Sequence, residues 1–416
     1  MRGVALLSLL LLAACDSSSG RMASVPSPAT SPLPPASASA PASPSPAPSP
    51  APSPSPSAPA SPTPAAGPPP HLLFPPFWQP PKVGGQCYLP VLFPVAGATS
   101  LTVEFFDYPY SAVEGRTELK VTGSPFYYPG ATYDHPAYRW LPVPAEAISP
   151  DGLSFAFADY DLPPSGMSAS NPVEGHSELR SAGVLATTGR VYLIDARTGS
   201  YRILYKGSPT YSVVGFTQRG IYLTQVALTM DGAFSSGLYL LGTTGGTPQP
   251  VAGGNRPLDG GGWTVTGGAA WGTNFTTGGG IAGGNQLVRL DLTTGAVTVW
   301  MTRAEGVGVS LIGVDGQGEP IVLVFASGYS SSGSPPPAQA TEVWVMSAPD
   351  TGTTVYQNAD PTATLPGGPT FTDSNGVWLS GAPNGEVWLY QPGSSALTAV
   401  TVAGSSTPVV PGGTCL

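Results

Sequence analysis

Six titratable side chains in the middle of the sequence could bind a metal ion or act as acid and base. They are Asp134, His135, Asp159, Asp161, Glu174 and His176. Four of them lie in a long polar insertion, residues 159–183, and loops on a rigid scaffold often carry function. Their spacing matches no EF-hand, no HExxH and no tight Cys/His cluster. A solvated polar loop is the alternative, and we predict neither a metal nor a cofactor.

Other catalytic motifs give little support for an enzyme. The sequence contains no GxSxG, so a hydrolase nucleophile elbow is not indicated. Residues 278–283 satisfy GxGxxG formally, but they lie in a Gly/Thr-rich stretch that opens no predicted helix, so a dinucleotide site is not predicted. Catalytic residues therefore stay unassigned from the sequence.

A dense group of aromatic residues between positions 105 and 140 is a candidate binding surface. In the second half of this group, turn residues separate several of the rings, and the candidate binding residues there are Tyr127, Tyr128, Tyr133, Tyr138 and Trp140. Rings presented on a loop can stack on sugar faces or bury peptide side chains. The alternative is that the rings pack inside the domain.

The elements that would position these residues are predicted from an internal repeat. Residues 190–205 (RVYLIDARTGSYRILY) alternate with period two on both sides of a DARTG turn, which predicts a β-hairpin. Similar hairpins recur at 237–251, 286–300, 342–356 and 386–400. The matched positions are Tyr192, Tyr239, Val288, Trp344 and Trp388, at intervals of 47, 49, 56 and 44 residues.

This interval is typical of one four-stranded blade of a β-propeller. A first hairpin for each blade is predicted at 147–158, 214–224, 263–273, 311–325 and 370–380. Residues 87–137 could supply one more blade. We therefore predict an all-β fold, a propeller of six blades within a range of five to seven, over residues 71–416. A β-sandwich or two stacked β domains is the alternative.

Composition separates this domain from the N-terminal part of the chain. The sequence has 416 residues, 54 Gly, 51 Pro, only 9% charged residues and a net charge of −9. Fifteen scattered basic residues form no stripe that could neutralise phosphates, so nucleic acid is not a predicted partner. Residues 16–70 are rich in Pro, Ala and Ser and predict an extended disordered linker.

The first fifteen residues resemble the signal of bacterial lipoproteins. Arg2 precedes an apolar run that is too short to span a membrane, and Leu12-Ala13-Ala14-Cys15 resembles a lipobox. The resemblance implies cleavage after residue 14, lipidation of Cys15 and anchoring of the chain to a membrane. An ordinary secretory signal with a chance cysteine is the alternative.

Cys87 and Cys415 flank the predicted propeller. An exported chain is in a compartment that permits disulfides, and the two ends of a propeller must meet to close the ring. We expect these two cysteines to form a disulfide, with two free thiols as the alternative.

Two short motifs resemble known propeller families. Residues 148–155 (ISPDGLSF) resemble the hairpin of WD40-like propellers of the TolB kind, and residues 195–199 (DARTG) and 291–295 (DLTTG) are similar to the turn of quinoprotein-type propellers. These resemblances imply the fold and no activity.

The predicted function is that of an exported, lipid-anchored binding module in the cell envelope, facing the periplasm or the cell exterior. Its expected partners are the membrane, through the lipid, and a protein or glycan ligand. One alternative is a polysaccharide lyase or hydrolase that uses the acidic loop residues. The other is an envelope-assembly scaffold.

Overall fold

The computed structural model describes a set of segments that all fall within the unit Pro59–Leu416. They are residues 87–93, 100–108, 112–120, 131–161, 188–229, 232–256, 258, 262–274, 284–326, 340–360, 366–382, 385–402 and 409–415. The predictions for residues 1–70, and for Tyr127, Tyr128, Glu174 and His176, lie outside these segments.

The described residues form 25 β-strands and one short 3-10 helix, Ala145–Ala147. The first twelve strands are β1 (Cys87–Phe93), β2 (Ser100–Tyr108), β3 (Ala112–Lys120), β4 (Thr132–Asp134), β5 (Arg139–Leu141), β6 (Ser154–Tyr160), β7 (Gly189–Asp195), β8 (Tyr201–Gly207), β9 (Thr210–Thr217), β10 (Gly220–Thr229), β11 (Gly232–Leu241) and β12 (Gln249–Pro250). The others are β13 (Thr264–Thr266), β14 (Ala269–Asn274), β15 (Gln286–Asp291), β16 (Val297–Thr302), β17 (Val307–Val314), β18 (Pro320–Ala326), β19 (Thr341–Ala348), β20 (Thr351–Asn358), β21 (Gly367–Asp373), β22 (Gly376–Ser380), β23 (Glu386–Tyr390), β24 (Thr398–Thr401) and β25 (Val410–Pro411).

These strands form six antiparallel blades, so the predicted β-propeller is confirmed with six blades in the described part of the chain. Blade 1 has the order β25-β1-β2-β3, and blades 3 to 6 are β9–β12, β13–β16, β17–β20 and β21–β24. Blade 2 consists of β6, β7 and β8, and an inner segment at Ile148 bridges to Phe155. A separate hairpin, β4–β5, lies in the chain between blades 1 and 2.

The repeat read from the sequence has a direct structural meaning. Each of the five matched positions, from Tyr192 to Trp388, lies on the third strand of its blade: β7, β11, β15, β19 and β23. The repeat was therefore assigned in the correct register throughout. The long interval of 56 residues falls where residues 327–340 join β18 to β19.

The turn that joins the third strand of a blade to its fourth strand explains why the DxxTG pattern recurs. In the turn between β7 and β8, Asp195 Oδ1 accepts hydrogen bonds from Arg197 N (3.0 Å) and Thr198 N (2.7 Å), and Gly199 has φ +74°. Asp291 and Gly295 repeat this arrangement between β15 and β16. An aspartate that satisfies the turn's N–H groups and a glycine that takes positive φ together define the hairpin.

The core lies between neighbouring blades, because most blade strands are apolar on both faces. On β18, Val322 and Val324 pack toward blade 4, whereas Ile321 and Leu323 pack toward blade 6. Similar clusters join blades 2 and 3, blades 3 and 4, and blades 6 and 1. Burial of an aliphatic side chain contributes about 1.5–3 kcal/mol, so these interfaces are the main source of stability.

The ring closes where the two ends of the domain meet. β25 pairs with β1, with Val91 opposite Pro411 and Leu92 opposite Val410, so the innermost strand of blade 1 comes from the C-terminal part of the chain. The β4–β5 hairpin then contacts this strand, since Tyr133 N donates to Gly412 O (2.6 Å). A Cβ on Gly412 would lie 2.5 Å from Trp140 Cζ3, so only glycine allows this approach.

Candidate functional site

A cavity of about 890 Å³ lies on the propeller axis, and residues of all six blades line it. Its wall is formed by Ala145, Glu146, Pro150, Phe216, Thr217, Gln218, Arg219, Tyr222, Thr264, Val265, Thr266, Gly267, Gly268, Leu292, Thr293, Leu311, Ile312, Gly313, Val314, Asp315, Gly316, Gly368, Thr370, Phe371, Thr372 and Thr414. We take this cavity as the candidate functional site.

The cavity belongs to one end of the ring, where the first strand of a blade turns into the second. Residues 217–219 join β9 to β10, residues 267–268 join β13 to β14, and residues 315–316 lie between β17 and β18. The first strand is the innermost of each blade, so these turns converge on the axis. The repeat therefore brings the inner turns of blades 3, 4 and 5 to one place.

Glu146 is a partly buried acid on the wall of this cavity. It lies in the 3-10 helix Ala145–Ala147, which packs against β9. Burial raises the pKa of its carboxyl, and a hydrogen bond from its own backbone N–H offsets only part of that effect. The side chain keeps partial contact with solvent because it faces the cavity.

Two further charged side chains line the cavity, and both are engaged locally. Arg219 is exposed, and its Nη1 donates to Leu292 O (2.5 Å). Asp315 is buried, and its Oδ1 accepts from Gln317 N (2.8 Å) and Glu319 N (2.9 Å). Asp315 therefore holds a turn together, whereas the guanidinium of Arg219 retains further N–H groups that could contact a ligand.

Three aromatic residues, Phe216, Tyr222 and Phe371, also line the cavity. Tyr222 is only 1% exposed, and its hydroxyl has no hydrogen-bond partner among the described residues. An unpaired buried hydroxyl costs on the order of 1–3 kcal/mol. The cavity wall thus combines apolar, aromatic and glycine residues with seven threonines and a few charged groups, and its polar groups could orient a ligand.

Sequence reasoning did not find Glu146, Arg219 or Tyr222. The available signal was positional: Arg219 lies in the predicted first-hairpin turn of its blade, and Glu146 closely precedes the SPDG motif. The turns between the first and second strands of successive blades meet at the axis of a propeller. Comparing those turns would have indicated these residues.

The predicted aromatic surface divides into buried and exposed members. Tyr133 and Trp140 are 4% and 2% exposed, and their rings pack edge to face with centroids 5.5 Å apart. They lie on β4 and β5, against the closing strand, where an external ligand does not reach them. Tyr138 is 43% exposed and has φ +51° in the turn between these strands.

Asp134 and His135 lie on the same hairpin, and neither belongs to a group of three or more potential metal ligands among the described residues. Asp134 is 6% exposed, and its Oδ2 accepts a hydrogen bond from Ala137 N (2.9 Å). Burial raises the pKa of Asp134 to about 6, although the Ala137 N–H and Arg197 lower it in part. Burial also lowers the pKa of His135.

Asp159 and Asp161 are brought together, but a cation lies between them. Arg190 donates to Asp161 through Nη1 (2.9 Å) and Nη2 (2.8 Å), and its Nη1 is 3.4 Å from Asp159 Oδ1. Tyr192 Oη donates to Asp159 Oδ2 (3.1 Å). The two carboxylates are therefore joined in an ion-pair network at the edge of blade 2.

Neither a cluster of metal ligands nor a membrane-spanning helix is present among the described residues. No group of three or more His, Cys, Asp or Glu side chains in these segments is arranged to hold a metal ion. The described segments likewise include no helix with the length and apolar character needed to cross a bilayer.

Comparisons with known proteins assign neither a family nor an activity to this chain. No protein-family model matches this sequence, and a comparison with curated proteins found no match. Among solved structures, the chain is similar to TolB from Acinetobacter baumannii, with 15% identity, 80% of this chain and 65% of that chain covered, and a TM-score of 0.38. It is also similar to an oligogalacturonate lyase from Vibrio parahaemolyticus, with 10% identity over 68% of this chain and 71% of that chain and a TM-score of 0.35.

A third similar structure is a putative 6-phosphogluconolactonase from Bacteroides fragilis. The identity is 11%, 80% of this chain and 99% of that chain are covered, and the TM-score is 0.35. The chain spans less than two thirds of the length of the TolB chain. At these identities and TM-scores, no activity is transferred to this protein, and the propeller is defined by its own sheets.

We predict that Asp134→Asn stabilises the protein near neutral pH. The pKa of Asp134 is raised from 3.8 to about 6, so folding favours the protonated carboxyl and stability falls as pH rises between these values. The neutral amide avoids this loss, and the gain in unfolding free energy at pH 7 is at most about 3 kcal/mol. Thermal unfolding at a series of pH values measures it.

The control is Asp291→Asn, because hydrogen bonds from Thr294 and Thr293 lower the pKa of Asp291. This variant should be no more stable than the wild type at neutral pH. If Asp134→Asn gave the same melting temperature as the wild type at pH 7, or a gain that persisted at pH 3, the raised pKa would not be the cause.

Proposed function

We propose that this protein is a membrane-tethered binding module whose ligand enters the cavity on the propeller axis. The observation that carries the proposal is the cavity of about 890 Å³ lined by all six blades, with a partly buried carboxyl and an exposed guanidinium among apolar and threonine side chains. Ligand sites are commonly clefts of about 300–1,000 Å³ with mostly apolar walls and a few placed polar groups.

The acidic residues considered for a polysaccharide-acting enzyme favour binding over catalysis. Asp161 forms a two-point ion pair with Arg190, and Asp159 accepts from Tyr192. A general acid or base must be within reach of the proton that it transfers. Carboxylates already held by a cation and a phenol are better explained as supports for the edge of blade 2.

A bulky residue in the cavity should abolish ligand binding. Gly316 is exposed and lines the cavity, and a Cβ added there meets only Thr372 Cγ2, at 3.6 Å. Gly316→Trp should therefore fill the cavity without straining the backbone. We expect the full-length protein, purified in detergent, to capture a ligand from native envelope extract and Gly316→Trp to lose it.

The matched control is Gly242→Trp. Gly242 is also exposed, its added Cβ meets only Thr244 Oγ1 at 3.7 Å, and it does not line the cavity. Equal capture by Gly316→Trp and the wild type would remove the cavity from the proposal, and capture of nothing by the wild type would remove the binding module. Release of shortened sugar chains would favour the enzyme, and one protein in equal amount would favour an assembly scaffold.

The anchor proposed for this module is the lipidated Cys15, with residues 1–14 as the signal peptide and residues 16–70 as the spacer. The support is the order of charge, apolar run, small residues and cysteine at the N-terminus. Two or more acyl chains would anchor the protein firmly at a membrane of the cell envelope, because one chain alone binds only marginally.

Cells grown with radiolabelled palmitate should incorporate the label into this protein. Cys15→Ser should abolish the incorporation and release the chain from the membrane fraction, whereas Cys415→Ser should leave the label in place. Persistent labelling of Cys15→Ser would contradict the proposed anchor.

We propose, finally, that Cys87 and Cys415 form a disulfide that secures the closed ring. The pairing of Val91 with Pro411 and of Leu92 with Val410 supports it, since the same antiparallel register continued along both strands sets position 87 opposite position 415. The bond would close a loop of 328 residues, for which the chain-entropy model gives at most roughly 5–6 kcal/mol.

Peptide mass analysis of the unreduced protein should find the peptides containing residues 87 and 415 joined. Reduction should also lower the melting temperature of the wild type and leave that of Cys87→Ser unchanged. Separate peptides in the unreduced digest would contradict the disulfide.

A further inference from the structure

Glu146 lines the cavity, and no ion pair with its carboxyl is present among the described residues. Among the acids with altered pKa values, Asp134 and Asp195 are influenced by Arg197, Asp159 by Arg190, and Asp291 by Arg289. Burial raises the pKa of the Glu146 carboxyl. A partly buried carboxyl without a counter-ion is costly to ionise, and a cation that enters the cavity would reduce that cost.

We propose that the cavity binds an alkylammonium group, such as the end of a lysine side chain or of a free diamine, with Glu146 as its counter-ion. This inference rests on the proposed function, because it names the ligand class of the same cavity. The ammonium would pair with the carboxyl, and the aliphatic stem would lie along apolar wall residues such as Leu311 and Ile312.

The aromatic residues of the wall fit the same ligand. Phe216, Tyr222 and Phe371 line the cavity, and the faces of aromatic rings attract organic cations. The hydroxyl of Tyr222 is buried and has no hydrogen-bond partner among the described residues.

The net charge of the side chains that line the cavity favours a cationic ligand. The charged residues of its wall are two carboxylic acids, Glu146 and Asp315, and one base, Arg219. Arg219 is at an exposed turn and donates to Leu292 O, so it lies at the surface, whereas Glu146 is partly buried. With both acids ionised the wall carries a net negative charge, as does the whole chain.

The test is titration calorimetry of the full-length protein in detergent with probes that differ in charge. Nα-acetyl-lysine methylamide and 1,5-diaminopentane carry the ammonium group, whereas the Nε-acetylated lysine derivative and 1-pentanol do not. We expect the charged probes to bind at least about tenfold more tightly than the neutral ones, because a neutral probe cannot form an ion pair with the carboxylate of Glu146. Tighter binding of the lysine derivative than of the diamine would indicate a polypeptide as the source.

Glu146→Gln should weaken binding of the charged probes by at least about tenfold and leave the neutral probes unaffected. The matched control is Glu386→Gln, since Glu386 lies on β23, accepts from Thr401 Oγ1 and does not line the cavity. Equal binding of charged and neutral probes by the wild type would overturn the inference, even if Glu146→Gln failed to fold. So would unchanged binding by a folded Glu146→Gln.

The same measurements separate this inference from the proposed function. If the charged probes do not bind but Gly316→Trp still blocks capture of the envelope ligand, the cavity remains the binding site and the inferred alkylammonium ligand is wrong. If the charged probes bind equally to the wild type and to Gly316→Trp, they bind outside the cavity and the inference fails. If neither probes nor envelope material bind, both proposals fail.

Discussion

Burial of both faces of each blade against its neighbours is the constraint on which the structure depends. A strand such as β18 directs alternate side chains toward blades 4 and 6, so neither blade can be removed without exposing an apolar face. A row of such sheets leaves one apolar face exposed at each end, whereas a closed ring leaves none exposed. The pairing of β25 with β1 is therefore a requirement of the core, and Gly412 allows the closing strand to approach Trp140.

A closed ring of six sheets leaves a space at its axis, and the sequence of the inner turns decides what lines it. Here the wall combines apolar side chains with threonines and few charges, and a carboxyl that is partly buried in it is less hydrated than one at the surface. Glu146 is such a group, and burial raises its pKa. The same ring that stabilises the domain thus creates a chemical environment that no single blade has.

The local part of this structure could be predicted from the sequence, whereas the site could not. Period-two alternation and Asp/Gly turns depend on neighbouring residues, and they placed Tyr192 and its four counterparts on the third strands. The cavity depends on contacts between residues far apart in sequence. Aromatic density did not show that Tyr133 and Trp140 face the closing strand, and acidic spacing did not show that Arg190 lies between Asp159 and Asp161.

The contrast among the acids indicates which of them stabilise the fold. Asp195 and Asp291 accept several N–H groups within tight turns, so their charge contributes to the local structure. Glu146 receives no such compensation from another described residue, and a partly buried carboxyl that lacks a partner adds little to stability. The carboxyl of Glu146 is therefore better placed to contact what enters the cavity than to stabilise the ring.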